Sequence, residues 1–201
     1  MNLILETDNL NHYLGDSSII NYQHDRVRSP GVRLSQDVTD EMALAKKVYH
    51  YVRDEIAHSF DIDAAIVTCS ASEVLEHGHG ICYAKAHLLA AILRMLGIPA
   101  GFCYQKLILE DNEKPWLVLH GLNAIYLKSL KRWIRVDARG NKEGVNAEFS
   151  IEQEKLAFPV MKELGEIDEP VIFVDPNQKV VDALRAAKTT EDLYNSLPSE
   201  L

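Results

Sequence analysis

The chain has 201 residues, of which 47% are hydrophobic and 25% are charged, a balance that argues against disorder and favours a globular fold. The formal net charge of −9 argues against a nucleic-acid partner, because phosphate binding favours a basic surface. This length suits one domain with its own core, and we predict a single domain over residues 1–201.

The sequence also bears on the compartment. The N-terminal residues show no basic stretch followed by a long apolar run, and no uncharged run is long enough to cross a bilayer. The three cysteines, Cys69, Cys82 and Cys103, are an odd and small number for a disulfide framework. We therefore expect reduced thiols, a cytoplasmic location and no membrane partner.

The first half of the chain predicts helices. A Pro-Gly turn within residues 28–35 is expected to separate an irregular N-terminal region from a helix that begins near Thr39. A short helix that ends at Gly78 follows. The next helix begins near Cys82, is apolar over most of its circumference, and ends at Gly97. Such a helix belongs in the middle of a domain. The apolar face of the Thr39 helix comprises Met42, Ala45, Tyr49, Val52 and Ile56.

The second half predicts strands and then helices. Residues rich in sheet-forming types alternate with polar links, and a short basic link makes a hairpin of the second and third strands. Helices followed by an antiparallel-looking sheet predict an α+β fold. The predicted elements are a strand at 101–109, a polar loop at 110–115, a hairpin at 116–127 and 132–137, a strand at 169–175 and one or two helices at 182–197.

The combination of Cys82, His120 and Asp137 suggests chemistry. A helix N-terminus favours a thiolate, and Gly80 leaves room for a substrate backbone beside it. The N–H of Cys82 itself is placed to donate to the oxygen of a tetrahedral intermediate, although no second donor can be chosen. Folding the hairpin near residues 128–129 brings His120 and Asp137 to nearly the same height on neighbouring strands. The aspartate would then orient the imidazole toward the thiol.

Each of these residues has an ordinary structural alternative. A cysteine in an apolar helix is often a buried thiol, a strand histidine is often a packed residue, and an aspartate at a strand end often caps a turn. A metal site is a further alternative, because four possible ligands cluster near the start of the helix. The spacing of these residues along the chain does not bring all four side chains to one metal ion in tetrahedral geometry. We expect His87 on the solvent side of the helix. The four are His77, His79, Cys82 and His87.

Three ordered segments resemble the transglutaminase-like superfamily. "SASEVLEHGHGICYAKAHLLAAILRMLGIPAGFCY" is similar to its cysteine segment, "LHGLNAIYL" to its histidine strand, and "RWIRVDARG" to its aspartate strand. "AKKVYHYVRDEIAHSF" resembles the helix that leads into this core. The resemblance covers residues 40–140, and residues 150–201 are a C-terminal extension of the same domain.

The resemblance implies a papain-like α+β core in which the cysteine-bearing helix packs on an antiparallel sheet. It implies Cys82 as nucleophile, His120 as general base and acid, and Asp137 as the orienting residue. The implied reaction is acyl transfer from a peptide or protein amide through a thioester, without a metal or other cofactor. A catalytically silent binding module with the same fold is the alternative.

Two positions depart from the family pattern. Leu122 stands where the family often has an aromatic residue, and Ala138 stands where it often has proline. Neither change touches the three site residues, but both bear on the substrate cleft. The sequence also shows no flanking domains of the large protein-crosslinking enzymes. We therefore favour hydrolysis over crosslinking.

Overall fold

A computed structural model describes residues 1–109 and 116–201, so the polar loop predicted at 110–115 lies outside the described residues. Helices α1 to α6 span Asp25–Ser35, Glu41–His50, Ala71–His77, Cys82–Met95, Gln178–Ala186 and Thr190–Tyr194. Strands β1 to β8 span Ile4–Leu5, Ala57–His58, His79–Gly80, Ala100–Leu109, Trp116–Leu127, Arg132–Val136, Ile167–Asp168 and Val171–Ile172. Among these described residues, no helix is both long and apolar enough to cross a membrane.

The main sheet is antiparallel and has four strands in the order β6-β5-β4-β7. Strand β4 pairs along its whole length with β5, from Ala100 opposite Ile125 to Leu109 opposite Trp116. Strand β6 pairs only with the last five residues of β5, so the beginning of β5 has no β6 neighbour. This sheet and the helices before it confirm the predicted α+β class.

Helix α4 lies at the centre of the molecule, as its all-round apolar character predicted. Its side chains from Tyr83 to Arg94 are all buried, between the sheet and helices α1, α2 and α3. Helix α1 approaches it closely: a Cβ at Gly31 would lie 2.3 Å from Cε of Met95. Glycine at this position therefore permits the contact between the two helices.

The turn predicted within residues 28–35 is wrong, because helix α1 runs through this segment with Pro30 in its interior. Proline removes one backbone donor and crowds the preceding turn, which costs an isolated helix about 3 kcal/mol. Val27, Pro30 and Leu34 are buried in this helix. We attribute the continuous helix to the burial of these side chains, which cannot be predicted from a local Pro-Gly pattern.

Smaller differences concern the ends of elements. The N-cap of α2 is Asp40 rather than Thr39, and its Oδ1 accepts a hydrogen bond from the N–H of Ala43 at 2.7 Å. The strand predicted at 169–175 is shortened to β8, which pairs in parallel with β1. The C-terminal region forms two helices, α5 and α6, as one of the two predicted options.

The part of the chain that follows β6 is attached to that strand by a buried arginine. Arg135 of β6 donates through Nε to Oε1 of Glu154 at 2.9 Å and through Nη1 to Oδ1 of Asp168 at 2.6 Å. The charges are opposite and the guanidinium is almost fully buried. Residues 150–201 therefore pack against the sheet and reach the cleft described below.

Candidate active site

The structure brings the three predicted site residues together. Cys82 is the first residue of α4, His120 lies in β5, and Asp137 directly follows β6. Nε2 of His120 lies 2.8 Å from Oδ2 of Asp137. Cys82 and His120 line the same cleft, and the side chain of Asp137 is buried behind His120.

The register of the hairpin explains this proximity. Asn123 pairs with Val136, so Asp137 continues β6 opposite Leu122, two residues from His120 on the same face of the sheet. Diagonal neighbours of this kind lie within reach of long side chains. The predicted hairpin therefore places the carboxylate beside the imidazole.

Asp137 is a fully buried carboxylate held by three hydrogen bonds. Besides the bond with His120, its Oδ1 accepts from the N–H of Arg139 at 3.0 Å, and its Oδ2 accepts from the N–H of Ala157 at 3.0 Å. Burial alone would raise the pKa of Asp137, but the charge of His120 and the three hydrogen bonds lower it below its usual value. The group is thus an anion at neutral pH.

His120 is held as a cation by its neighbours. Burial lowers the pKa of His120, but the charges of Asp137 and Cys82, together with the hydrogen bond to Asp137, raise it to about 10. The ring of Phe158 packs edge-on against the imidazole, with 5.1 Å between ring centroids. Because Nε2 is bonded to Asp137, Nδ1 is the nitrogen left for the thiol.

Cys82 lies where a helix offers unpaired N–H groups. The N-cap residue is Ile81, which has no side-chain acceptor for the first turn. Cys82 is half-buried, whereas Cys69 and Cys103 are buried. Burial raises the pKa of Cys69 to about 11 and that of Cys103 to about 12, so both remain thiols at neutral pH.

The residues beside Cys82, His120 and Asp137 were not predicted from the sequence. The hydroxyl of Tyr83 donates to the carbonyl of Leu119, next to His120. The Tyr83 ring packs over Gly121, where a Cβ would lie 2.8 Å from Cδ1. Lys85 is fully buried, and its ammonium donates to the carbonyls of Arg53 and Ile56. The burial of Lys85, helped by the charge of Arg139, lowers its pKa to about 7.

A cleft of about 420 Å³ opens in front of Cys82 and His120. Among the described residues, two other charged side chains line the cleft and are already bound within the protein. Arg139 pairs with Asp61, and Glu166 accepts from the N–H groups of Ile108 and Met161 at 2.9 and 2.7 Å. The remaining walls are mainly apolar. They include Phe60, Leu107, Val118, Phe158, Leu164 and Leu197.

The metal alternative has no support in the side-chain positions. His79 Nδ1 lies 3.0 Å from Oγ of Ser59, and His87 Nδ1 lies 2.7 Å from the carbonyl oxygen of Cys69. His87 is buried, so its predicted solvent exposure is wrong, because the helix is enclosed on every side. Residues 1–109 and 116–201 contain no group of three or more His, Cys, Asp or Glu side chains placed to hold a metal ion.

Solved structures give a fold similarity. A candidate cysteine protease from Cytophaga hutchinsonii superposes with a TM-score of 0.52 at 17% identity, over 66% of this chain and 43% of that chain. The periplasmic domain of TgpA from Pseudomonas aeruginosa superposes with a TM-score of 0.47 at 17% identity, over 66% of this chain and 48% of that chain. A candidate protease from Parabacteroides distasonis superposes with a TM-score of 0.41 at 12% identity, over 75% of this chain and 30% of that chain. The chain thus spans less than half the length of these proteins.

The family is shown by the sequence itself. No curated protein matches the chain significantly. The family model described as the transglutaminase-like superfamily matches residues 31–138, which is more than half of the chain and includes all three predicted site residues. With the α+β fold and the structural similarity, this match shows that the chain belongs to the transglutaminase-like superfamily.

Proposed function

We propose that the protein is a thiol-dependent enzyme that cleaves an amide bond through a Cys82 thioester. The observation that carries this proposal is the buried His120–Asp137 pair, 2.8 Å apart, beside a half-buried cysteine at a helix N-terminus. This arrangement matches the roles that cysteine acyl-transfer requires, with a nucleophile, a base and a group that orients the base. The superfamily match supports the same chemistry.

In the first half-reaction, the Cys82 thiolate attacks the carbonyl carbon and the C=O electron pair moves to oxygen. His120 is protonated, and Asp137 holds its ring by Nε2. When the tetrahedral intermediate collapses, the C–N bond breaks and His120 gives its proton to the departing amine. The product is a thioester on Cys82.

In the second half-reaction, neutral His120 takes a proton from the acyl acceptor, which attacks the thioester and expels the Cys82 thiolate. We propose water as this acceptor, so that the overall reaction is hydrolysis. A primary amine added as competitor distinguishes the two outcomes. Hydrolysis gives only the free acid, whereas a crosslinking enzyme gives the new amide.

The cleft supports a proposal for the substrate class. Its walls are mainly apolar, and both charged residues in them are paired within the protein. A charged substrate side chain would lose its water without gaining a partner, whereas an apolar one gains about 25 cal/mol per Å² buried. We therefore propose a peptide or protein amide whose acyl side carries a large apolar residue.

Trapping the acyl-enzyme tests the function. Wild-type protein and Cys82→Ala are incubated with an acetyl-leucine thioester and examined by intact-protein mass spectrometry at short times. We expect a transient acetyl-leucyl adduct on Cys82 and release of free acid by the wild type, and neither with Cys82→Ala. Cys103→Ala is the matched control, because Cys103 is buried away from the cleft and should leave acylation unchanged.

The silent binding module predicts a different result. Wild-type protein would then form no adduct and release no acid, and Cys82→Ala would bind a peptide ligand as well as the wild type does.

A thiol enzyme also fits a reducing compartment, and the three free cysteines support our proposal of a cytoplasmic location. Cell fractionation, followed by detection of the protein with an antibody, tests that location.

A further inference from the structure

His58 is a second histidine at the cleft, and the reaction above leaves it without a role. It is only 8% exposed and ends strand β2, where it pairs with Gly80 of β3. Gly80 lies two residues before Cys82, so this pairing fixes His58 beside the approach to the nucleophile. Both His58 and Cys82 line the cleft.

Neither ring nitrogen of His58 has a hydrogen-bond partner in the part of the chain that the structure describes. Nδ1 is fully buried and unpaired, and the nearest carboxylate oxygen, Oδ1 of Asp61, is 4.0 Å away. That distance is too long for a hydrogen bond, and Asp61 is already paired with Arg139 and Lys142. Nε2 is not fully buried, and the His58 side chain lines the cleft.

The surroundings of His58 decide which nitrogen carries the proton. Burial and the charge of Arg139 lower the pKa of His58 to about 3, so the ring is neutral and has one N–H at neutral pH. An N–H on Nδ1 gains no hydrogen bond, because Oδ1 of Asp61 is 4.0 Å away, so we place the N–H on Nε2 when a group bound in the cleft can accept from it. A neutral histidine of this kind donates a hydrogen bond without supplying a proton.

We propose that Nε2–H of His58 is the second hydrogen-bond donor to the oxyanion formed when Cys82 attacks a carbonyl. This proposal rests on the proposed function. The first donor is the backbone N–H of Cys82, which at the first position of α4 has no acceptor inside the helix. As the C–S bond forms, the C=O electron pair becomes the oxyanion that both N–H groups bind. Collapse returns the pair to the carbonyl and breaks the C–N bond.

Other polar side chains near Cys82 are already engaged. The hydroxyl of Tyr83 donates to the carbonyl of Leu119, and Nδ1 of His79 is paired with Ser59. The guanidinium of Arg139 pairs with both oxygens of Asp61. Among the described residues that line the cleft, His58 is thus the side chain whose donor is held in place but unoccupied, which is the property that an oxyanion hole needs.

Two variants of similar length separate the donor from the volume of the side chain. His58→Gln keeps an N–H donor, whereas His58→Met has none, and His77→Ala is the control at an exposed histidine outside the cleft. Each protein is treated with acetyl-Leu-Leu-leucinal, which forms a tetrahedral adduct with an oxygen in the oxyanion position, and with iodoacetamide, which does not. Turnover of the coumarin amide of the same peptide is measured in parallel, with thermal unfolding as the check on folding.

We expect His58→Met to weaken aldehyde binding and lower kcat by about 100- to 1,000-fold, with KM and the iodoacetamide rate within about twofold of the wild type. His58→Gln should recover part of the loss. Unchanged aldehyde binding and kcat in His58→Met would overturn the proposal, and so would an equal loss with both reagents, which indicates a merely structural role. If the wild type itself reacts with neither reagent, the proposed function fails first.

Discussion

Nε2 of His120 and Oδ2 of Asp137 are 2.8 Å apart inside the protein, although 17 positions separate the two residues in the sequence. The carboxylate has no contact with solvent, and two backbone N–H groups besides the imidazole bind it. One of these donors belongs to Ala157, which lies between strands β6 and β7. The C-terminal segment therefore helps to hold the residue that orients the imidazole.

Replacing Asp137 by asparagine tests this arrangement. The amide has one acceptor oxygen where the carboxylate accepts three hydrogen bonds, and its NH₂ group would face other donors. We expect kcat to fall by roughly 10²- to 10⁴-fold and the free energy of unfolding to fall by about 1–3 kcal/mol. Kinetics and urea unfolding measure the two effects.

Asp168→Asn is the control for that experiment. Asp168 also pairs with a buried cation, Arg135, but outside the cleft. The Asp168→Asn variant should therefore be less stable than the wild type but keep its kcat. An Asp137→Asn enzyme with wild-type kcat would show that the carboxylate does not orient the imidazole.

The raised pKa of His120 predicts a pH dependence of stability. The folded protein holds the His120 proton up to about pH 10, whereas the unfolded chain releases it near 6.5. The stabilisation from His120 is therefore complete below pH 6.5 and is lost as the pH rises toward 10. Compared with His120→Gln, when both proteins also carry Cys82→Ala so that the thiol does not titrate, the protein that keeps His120 should lose its advantage from pH 6.5 upward by at most about 1.4 kcal/mol per pH unit.

Urea unfolding of both proteins from pH 6 to pH 10 measures that decline. Lys85, whose pKa is lowered to about 7, acts in the opposite direction, but it is present in both proteins and cancels in the difference. A difference between the two proteins that stays constant or grows with pH would contradict the proposed environment of His120.

Gly121 offers a test of how Tyr83 supports the strand that carries His120. In Gly121→Ala the new Cβ would lie 2.8 Å from Cδ1 of Tyr83, so the ring or the strand must shift. We expect about 1–3 kcal/mol of destabilisation and reduced turnover, because Tyr83 also binds the carbonyl of Leu119.

Gly15→Ala is the matched control for Gly121. Gly15 has an ordinary φ of −65°, and the nearest atom to a new Cβ is the carbonyl oxygen of His12 at 3.3 Å. Thermal unfolding should show a smaller decrease in melting temperature for this variant than for Gly121→Ala, whose new Cβ would make the closer contact. Equal melting temperatures for both variants would mean that the Tyr83 contact is unimportant.

The sequence was informative where local pattern and tertiary structure agree. The strand predicted at 116–127 has those bounds in the structure, and the helix predicted to begin near Cys82 begins there. The hairpin link is short, so its position restricted which residues of the two strands can meet. The proximity of His120 and Asp137 was predictable for that reason.

Residues whose environment depends on distant parts of the chain were missed. His58, Lys85 and His87 are polar residues that are buried, and only His87 had been given a position, on the solvent side of its helix. Lys85 is accommodated because its ammonium binds the carbonyls of Arg53 and Ile56, within and just after a π-helical turn at Tyr51–Glu55 that continues α2. Such partners depend on packing between elements, as does the continuous helix through Pro30, and no local signal reports them.

The most direct test of the thiolate–imidazolium pair is the pH dependence of Cys82 alkylation by iodoacetamide, read by mass spectrometry in wild type and His120→Ala. We predict that wild-type Cys82 is alkylated rapidly at pH 6, where an ordinary thiol is almost wholly protonated, and that His120→Ala loses this reactivity. Cys69 and Cys103 should stay unmodified in both proteins, because they are buried. Equal alkylation of Cys82 at pH 6 in the two proteins, or none in either, would contradict the account.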